Sequence, residues 1–139
     1  MLLNKYLIDT SIWVDLYENR TGYFCEPLGD FAFKLFCMIK AKGYKIIITD
    51  LTINELEMNY SVAEINGMMK PFETLLSRSV ASKEQRDEAK RISLERNVPK
   101  GDALHAILAR DNDYILITRD KHFKQLTDVS LYYRPEDII

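Results

Sequence analysis

Four acidic residues lie where the hydrophobic pattern predicts strand ends or helix starts: Asp9, Glu55, Asp102 and Asp120. Carboxylate oxygens, with no histidine or cysteine among the ligands, suit hard Mg²⁺ or Mn²⁺ better than zinc. A divalent cation at an open site can activate water and stabilise charge on a phosphodiester. Whether these acids can do such chemistry depends on whether the fold brings them together.

The hydrophobic pattern predicts strands that alternate with helices. We expect strands at 6–8, 45–49, 114–118 and, more weakly, 129–132. The expected helices are 11–18, 28–42, 51–60, 61–79 with a break or kink at Pro71, 83–97, 103–110 and a short one at 121–126. This alternation is typical of a single α/β domain over residues 1–139, with a central, mainly parallel sheet flanked by helices in three layers.

A mainly parallel sheet would place all four acids at one edge, where its strands end. Asp9 ends the first strand, and Asp120 lies two residues past the third. Glu55 lies in the first turns of the helix that leaves the second strand. Asp102 starts a helix that runs antiparallel to the third strand, so it lies at the far end of that strand.

Such a cluster would be unstable without compensation. Two carboxylates ~5 Å apart repel by ~3 kcal/mol at an effective dielectric constant of ~20. Four of them would approach the ~5–15 kcal/mol that stabilises a whole domain. Shared protons, arginine or lysine partners, or a divalent cation must therefore offset the repulsion.

Each acid also has a simpler interpretation. Asp9 can be a turn residue, Asp102 and Asp120 can be helix N-caps, and Glu55 competes with neighbouring polar side chains. Hydroxyls of Thr10, Ser11 and Thr118 can orient the acids or simply cap and turn. We expect His105 to pack in the core, and Asp15 to be solvated.

The composition is that of an ordinary soluble globular protein, with 47% hydrophobic residues, 29% charged residues and a formal net charge of −2. The net charge gives no global basic field that would indicate nucleic acid, although a local patch or bound cation can reverse the sign at one site. Cys25 and Cys37 lie among apolar residues without metal-ligand spacing, and we expect them to be small hydrophobic residues in a reducing compartment. The apolar start is too short for a signal peptide and no membrane span is evident, so we expect a cytoplasmic protein.

Four segments together resemble the PIN domain family: Leu7-Ile8-Asp9-Thr10-Ser11, Thr52-Ile53-Asn54-Glu55-Leu56, Gly101-Asp102-Ala103-Leu104-His105-Ala106 and Ile117-Thr118-Arg119-Asp120-Lys121-His122-Phe123. They occur in order across essentially the whole chain. By this resemblance, Asp9, Glu55, Asp102 and Asp120 match the acidic metal-site positions of the family. Thr118 matches a hydroxyl position beside the last strand, with Thr10 or Ser11 near the first.

The resemblance implies a Mg²⁺- or Mn²⁺-dependent ribonuclease that hydrolyses RNA phosphodiester bonds. The chain is similar in size to the VapC-type toxins of toxin–antitoxin pairs, so the resemblance implies a cognate antitoxin as a possible partner. Basic residues at Arg119, Lys121, Lys124 and Lys100 could hold the RNA backbone, or form a solvated face. A surplus of apolar residues at 28–39 suggests a homodimer. The helical segment at 61–97 carries no motif.

Two other readings remain open at the level of sequence. A haloacid-dehalogenase-like phosphatase also has an aspartate at the end of its first strand. That family has a second acid two residues later, where Ser11 stands here. The other reading is a catalytically weak PIN-like module that binds RNA or serves assembly.

Overall fold

Five parallel strands form one sheet in the computed structural model, which describes residues 4–139. The short apolar start at residues 1–3 lies outside the described residues. The strands are β1 (Lys5–Ile8), β2 (Lys45–Thr49), β3 (Leu76–Ser79), β4 (Ile115–Ile117) and β5 (Tyr132–Tyr133), in the order β3-β2-β1-β4-β5. The prediction of an α/β fold with a mainly parallel sheet is confirmed.

Six helices flank this sheet: α1 (Thr10–Glu18), α2 (Leu28–Lys42), α3 (Asp50–Glu57), α4 (Val62–Met69), α5 (Lys83–Arg96) and α6 (Lys100–Asn112). Short 3-10 turns cover Lys70–Phe72, Lys121–Gln125 and Pro135–Asp137. Within residues 4–139, no helix combines the length and apolar character that a membrane span requires.

Both faces of the sheet are covered at its centre, which explains why β1, β2 and β4 contain continuous apolar runs. Tyr6 and Ile8 face the layer formed by α1 and α2, where Trp13 and Phe36 pack edge to face with ring centroids 4.8 Å apart. Leu7 faces the opposite layer, formed by α5 and α6. β1 therefore lies at the centre of the molecule in both directions.

The predicted helix over 61–79 is wrong at its C-terminal end. Helix α4 stops at Met69, and residues Leu76–Ser79 form β3, an edge strand parallel to β2. Ser77 and Arg78 are exposed there, so this strand lacks the apolar run that identifies a buried strand. The last strand is also displaced, from the predicted 129–132 to Tyr132–Tyr133.

The structure fixes three details of local environment that the sequence left open or placed differently. Cys25 and Cys37 are both exposed. Leu94 on α5 is 77% exposed, while the helix buries Ala89 and Ile92. Helix α6 begins at Lys100 after Pro99, so Asp102 lies inside its first turn and is not its N-cap.

Asp15 was expected to be solvated, but it is 1% exposed and lies in an ion-pair network. Its carboxylate accepts hydrogen bonds from Arg20 Nε at 2.9 Å and from Arg119 Nε at 3.2 Å. The Arg119 guanidinium also makes two hydrogen bonds to Glu136, at 2.6 and 2.8 Å. This network ties α1 to the C-terminal segment.

We predict that Asp15→Ala lowers the free energy of unfolding by about 2 kcal/mol, because it removes the buried carboxylate that Arg20 and Arg119 share and leaves the largely buried Arg119 guanidinium with one acceptor fewer. Urea denaturation followed by circular dichroism measures this. Asp87→Ala, which removes an exposed ion pair with Lys83 on α5, is the control and should cost ~0.5 kcal/mol or less. Equal losses in the two variants would contradict the importance of the buried network.

Candidate active site

Asp9 lies at the centre of an acidic cluster at the C-terminal edge of the sheet. Its backbone N–H donates to Ile117 O at 3.0 Å, which continues the pairing of β1 with β4 by one residue. The buried Thr118 hydroxyl donates to Asp9 Oδ2 at 2.8 Å. A main-chain and a side-chain hydrogen bond therefore hold Asp9 against the end of β4 and the residue that follows it.

His105 packs in the core as expected, being 1% exposed, but it also contacts the acidic cluster. Its Nδ1 lies 3.4 Å from Asp9 Oδ1, and its Nε2 lies 2.8 Å from Thr49 Oγ1. The same Thr49 hydroxyl oxygen accepts from the backbone N–H of Thr52 as the N-cap of α3. His105 thus connects β2 and α3 to Asp9. The sequence signal for this contact is the position of His105 one helical turn after Asp102, which places both side chains on the same face of the helix.

Glu55 reaches the cluster from α3. The Thr10 hydroxyl donates to Glu55 Oε1 at 3.0 Å, so the start of α1 positions this carboxylate. Ser11 does not take such a role, since its Oγ is buried and has no hydrogen-bond partner among the described residues. Of the two hydroxyls near the first strand, only Thr10 binds one of the four acids.

Asp102, Asp120 and His122 complete the cluster. Each offers one ligand atom within 4.8 Å of the other two. Asp120 caps the 3-10 turn by accepting from His122 N at 2.8 Å, and its own N–H donates to Thr118 Oγ1 at 3.0 Å. Capping and a place in the site are therefore compatible. His122 was not among the predicted site residues, and its imidazole lies beside these two carboxylates.

The pKa values of the acids are shifted by burial, by hydrogen bonds and by the charges of their neighbours. Burial raises the pKa of Asp9, but His105 and the Thr118 hydroxyl outweigh burial and hold this pKa below its usual value. Burial, followed by the charges of Asp120 and Asp9, raises the pKa of Asp102 to about 8. Partial desolvation and the charge of Asp9 raise the pKa of Glu55, against the Thr10 hydrogen bond. The charges of neighbouring acids thus raise the pKa values of both Asp102 and Glu55.

No arginine or lysine within residues 4–139 forms an ion pair with these four acids; the basic groups in contact are His105 and His122. Buried Asp102 Oδ2 has no hydrogen-bond partner. A divalent cation fits this set, because it would neutralise clustered carboxylates and provide a partner for the free oxygen.

The predicted basic residues differ in accessibility. Arg119 is held by Asp15 and Glu136, with its side chain 16% exposed. Lys121 and Lys124 are exposed and, together with Arg134, line a cleft of about 400 Å³ beside Asp120. Lys100 is exposed at the start of α6. The cleft therefore offers positive charge next to the acidic cluster.

The sequence matches the PIN domain over residues 6–129. The chain belongs to the PIN domain family. A comparison with curated protein sequences finds no match. The family resemblance of the four motifs is thereby confirmed over nearly the whole chain.

Solved structures with this fold include toxin–antitoxin proteins. VapBC2 from Rickettsia felis, bound to a DNA fragment from its promoter, has a TM-score of 0.67 and 18% identity, covering 94% of this chain and 98% of that chain. A toxin–antitoxin complex from Klebsiella pneumoniae has a TM-score of 0.64 and 19% identity, covering 94% and 97%. PAE2754 from Pyrobaculum aerophilum has a TM-score of 0.57 and 18% identity, covering 94% and 92%. At these identities the likeness concerns the fold.

We predict that Asp102→Asn stabilises the metal-free protein at pH 8. The folded-state pKa of about 8 lies above the unfolded value near 4, so ionisation of Asp102 destabilises the fold increasingly as pH rises through this range. After solvent screening, we expect a gain of about 1–2 kcal/mol at pH 8 and almost none at pH 4. Denaturation in EDTA at both pH values tests this, with exposed Asp87→Asn as the control. A pH-independent effect of Asp102→Asn would contradict it.

Proposed function

We propose that this PIN domain protein is a metal-dependent endoribonuclease that hydrolyses RNA phosphodiester bonds. The observation that carries the proposal is the cluster of Asp9, Glu55, Asp102 and Asp120, which have no arginine or lysine partners within residues 4–139. A site with this charge is suited to one or two Mg²⁺ or Mn²⁺ ions and unsuited to a free anionic substrate.

The residues of the cluster have different roles in this proposal. Asp9 and Asp102 would hold a cation together with Asp120, and Glu55 would complete the site from α3. When bound, a divalent cation would supply a Lewis acid that activates water and stabilises charge on the phosphoryl group. Thr118 and Thr10 keep two of the carboxylates in place, and the ionised form of Asp9 is favoured over its acid by His105 and Thr118.

RNA would approach along the cleft beside Asp120. Exposed Lys121 and Lys124 would hold the phosphate backbone there, and Lys100 would add positive charge at the start of α6. The Arg119 guanidinium already binds two carboxylates, so we give it a structural role instead. The overall charge of −2 does not oppose this arrangement, because phosphates respond to the local field.

We predict that the protein cleaves single-stranded RNA in the presence of Mn²⁺ or Mg²⁺ and that EDTA stops the reaction. Asp9→Asn should lower the cleavage rate by roughly 100-fold or more, because it removes a negative ligand at the centre of the site. Gel assays with fluorescent RNA measure both effects.

Asp87→Asn, purified in the same way, is the control for a contaminating nuclease and should keep the parental rate. If Asp9→Asn cleaves RNA as fast as the parent, the proposal is wrong or the activity is foreign. If neither protein cleaves but RNA still binds, the alternative of a catalytically weak RNA-binding module is supported instead.

We also propose that the protein is the toxin of a toxin–antitoxin pair and forms a homodimer. Two structural neighbours are described as toxin–antitoxin proteins, which supports a small antitoxin as partner. For the homodimer, support comes from α2, where Phe33 is 57% exposed although the helix buries Leu35 and Phe36. The apolar surplus on this helix therefore exceeds what its own chain covers.

We predict a dimer by multi-angle light scattering, shifted towards monomer by Phe33→Ser. Exposed Leu94→Ser, on α5, removes a similar apolar side chain from another surface and should leave the dimer intact. A parent protein that remains monomeric at high concentration would contradict the dimer. An adjacent reading frame for a small DNA-binding protein would support the toxin assignment.

A further inference from the structure

The imidazole of His122 lies between the two carboxylates that the proposed function assigns to metal binding. Its Nδ1 is 2.7 Å from Asp120 Oδ1 and 3.5 Å from Asp102 Oδ2. Neither His122 Nδ1 nor Asp102 Oδ2 makes a hydrogen bond within residues 4–139, although both atoms are buried. Two buried polar atoms that face one another across the cluster without a hydrogen-bond partner leave room for a ligand that both could bind.

The spacing of these three atoms is compatible with three ligands of one cation. Adjacent ligand atoms on a six-coordinate ion with bonds of about 2.1 Å are roughly 3 Å apart. The two distances to His122 Nδ1, 2.7 and 3.5 Å, lie on either side of this value. Small side-chain rotations would therefore place all three atoms at neighbouring positions around one ion.

A second, independent observation comes from the other side of the cluster. His105 is 1% exposed, and its Nδ1 faces Asp9 at 3.4 Å without a hydrogen-bond partner. Buried polar groups are normally hydrogen-bonded, so several unpartnered buried atoms in one cluster are unusual. A cation bound among these carboxylates would offset their charge.

We propose that His122 is a direct ligand, through Nδ1, of a divalent cation held between Asp102 and Asp120, and that this nitrogen makes the site prefer Mn²⁺ to Mg²⁺. The inference rests on the proposed metal site and adds a ligand to it. A nitrogen donor favours a first-row transition ion over Mg²⁺, whose preferred ligands are oxygens. Ligation through Nδ1 requires the Nε2–H tautomer of the neutral imidazole, which leaves Nε2 free to donate to solvent.

The turn around Asp120 holds the imidazole in position for this role. The Asp120 side chain accepts a hydrogen bond from the backbone N–H of His122, and this contact holds His122 beside the carboxylate. Phe123 is fully buried and anchors the same turn in the core. The ligand pair is therefore preorganised by the chain, and only Asp102 comes from a distant segment.

The experiment uses the full chain with Mn²⁺ or Mg²⁺ alone, without RNA. Electron spin-echo envelope modulation of bound Mn²⁺ should show coupling to a directly bound ¹⁴N nucleus. His122→Gln should abolish this coupling, whereas His105→Gln should retain it. By calorimetry, His122→Gln should weaken Mn²⁺ binding by at least the roughly 10-fold that loss of an outer-shell partner costs, and Mg²⁺ binding by less than about 3-fold.

His122→Asp provides an oxygen ligand at the same place and tests the chemistry of the donor. It should still bind both ions, lose the ¹⁴N coupling and lose the preference for Mn²⁺. Thermal unfolding in EDTA checks that each variant folds.

The outcomes separate this inference from the proposed function. A parent protein that binds both ions without ¹⁴N coupling, or a His122→Gln variant with an unchanged preference for Mn²⁺, would overturn the role of His122 and leave the carboxylate site standing. A parent that binds neither ion would overturn both. If His105→Gln abolishes the nitrogen coupling and His122→Gln retains it, the ligand is His105, and the proposal for His122 is wrong.

Discussion

Repulsion between carboxylates at one edge of the sheet is the constraint on which this structure depends. An all-parallel sheet places every strand end at the same edge, and β1 lies between β2 and β4. Asp9 therefore lies where the chain order reverses, with segments converging from both sides. The fold concentrates negative charge at this point. This is tolerated because the acids differ in their local partners and in their pKa values.

Asp9 and Asp102 illustrate this difference, since their pKa values move in opposite directions within one cluster. Asp9 is the more buried side chain, yet the Thr118 hydroxyl and His105 favour its ionised form. Asp102 has no comparable partners, and its Oδ2 makes no hydrogen bond within residues 4–139. The Thr118 hydrogen bond and the neighbouring imidazole, more than depth, therefore decide which acid carries the charge. In the absence of a cation, a proton on Asp102 is the simplest way to relieve the repulsion.

Arg119 is bound by acids that are not part of the cluster. It precedes Asp120 directly in the sequence, but its guanidinium binds Asp15 and Glu136. Its positive charge is therefore balanced outside the cluster of Asp9, Glu55, Asp102 and Asp120. Lys121 and Lys124 remain on the solvent side, in the cleft.

The sequence predicted best the parts of the fold that carry strong local signals. The strand at 45–49 and the helix at 28–42 have the predicted bounds, and Gly43 caps that helix. The helix predicted at 83–97 begins at Lys83, after a capping box of Ser82 and Gln85, and ends one residue early. The edge strand β3 was missed because two exposed polar residues interrupt its pattern. A hydrophobic pattern indicates a strand because neighbouring layers bury its side chains, and an edge strand is buried to a smaller extent.

The candidate site divides along the same line. The four acids follow from strand ends and topology, which the alternation of elements makes predictable. The burial of Asp15 and the contacts of both histidines depend on which side chains meet across distant segments, and no periodicity encodes that. His105 is an ordinary core residue by its pattern, and His122 is an ordinary turn residue by its pattern. His105 contacts the cluster because α6 lies beside the end of β1, and His122 contacts it because the turn capped by Asp120 follows β4. The acids could therefore be proposed from the sequence, whereas the histidines required the three-dimensional structure.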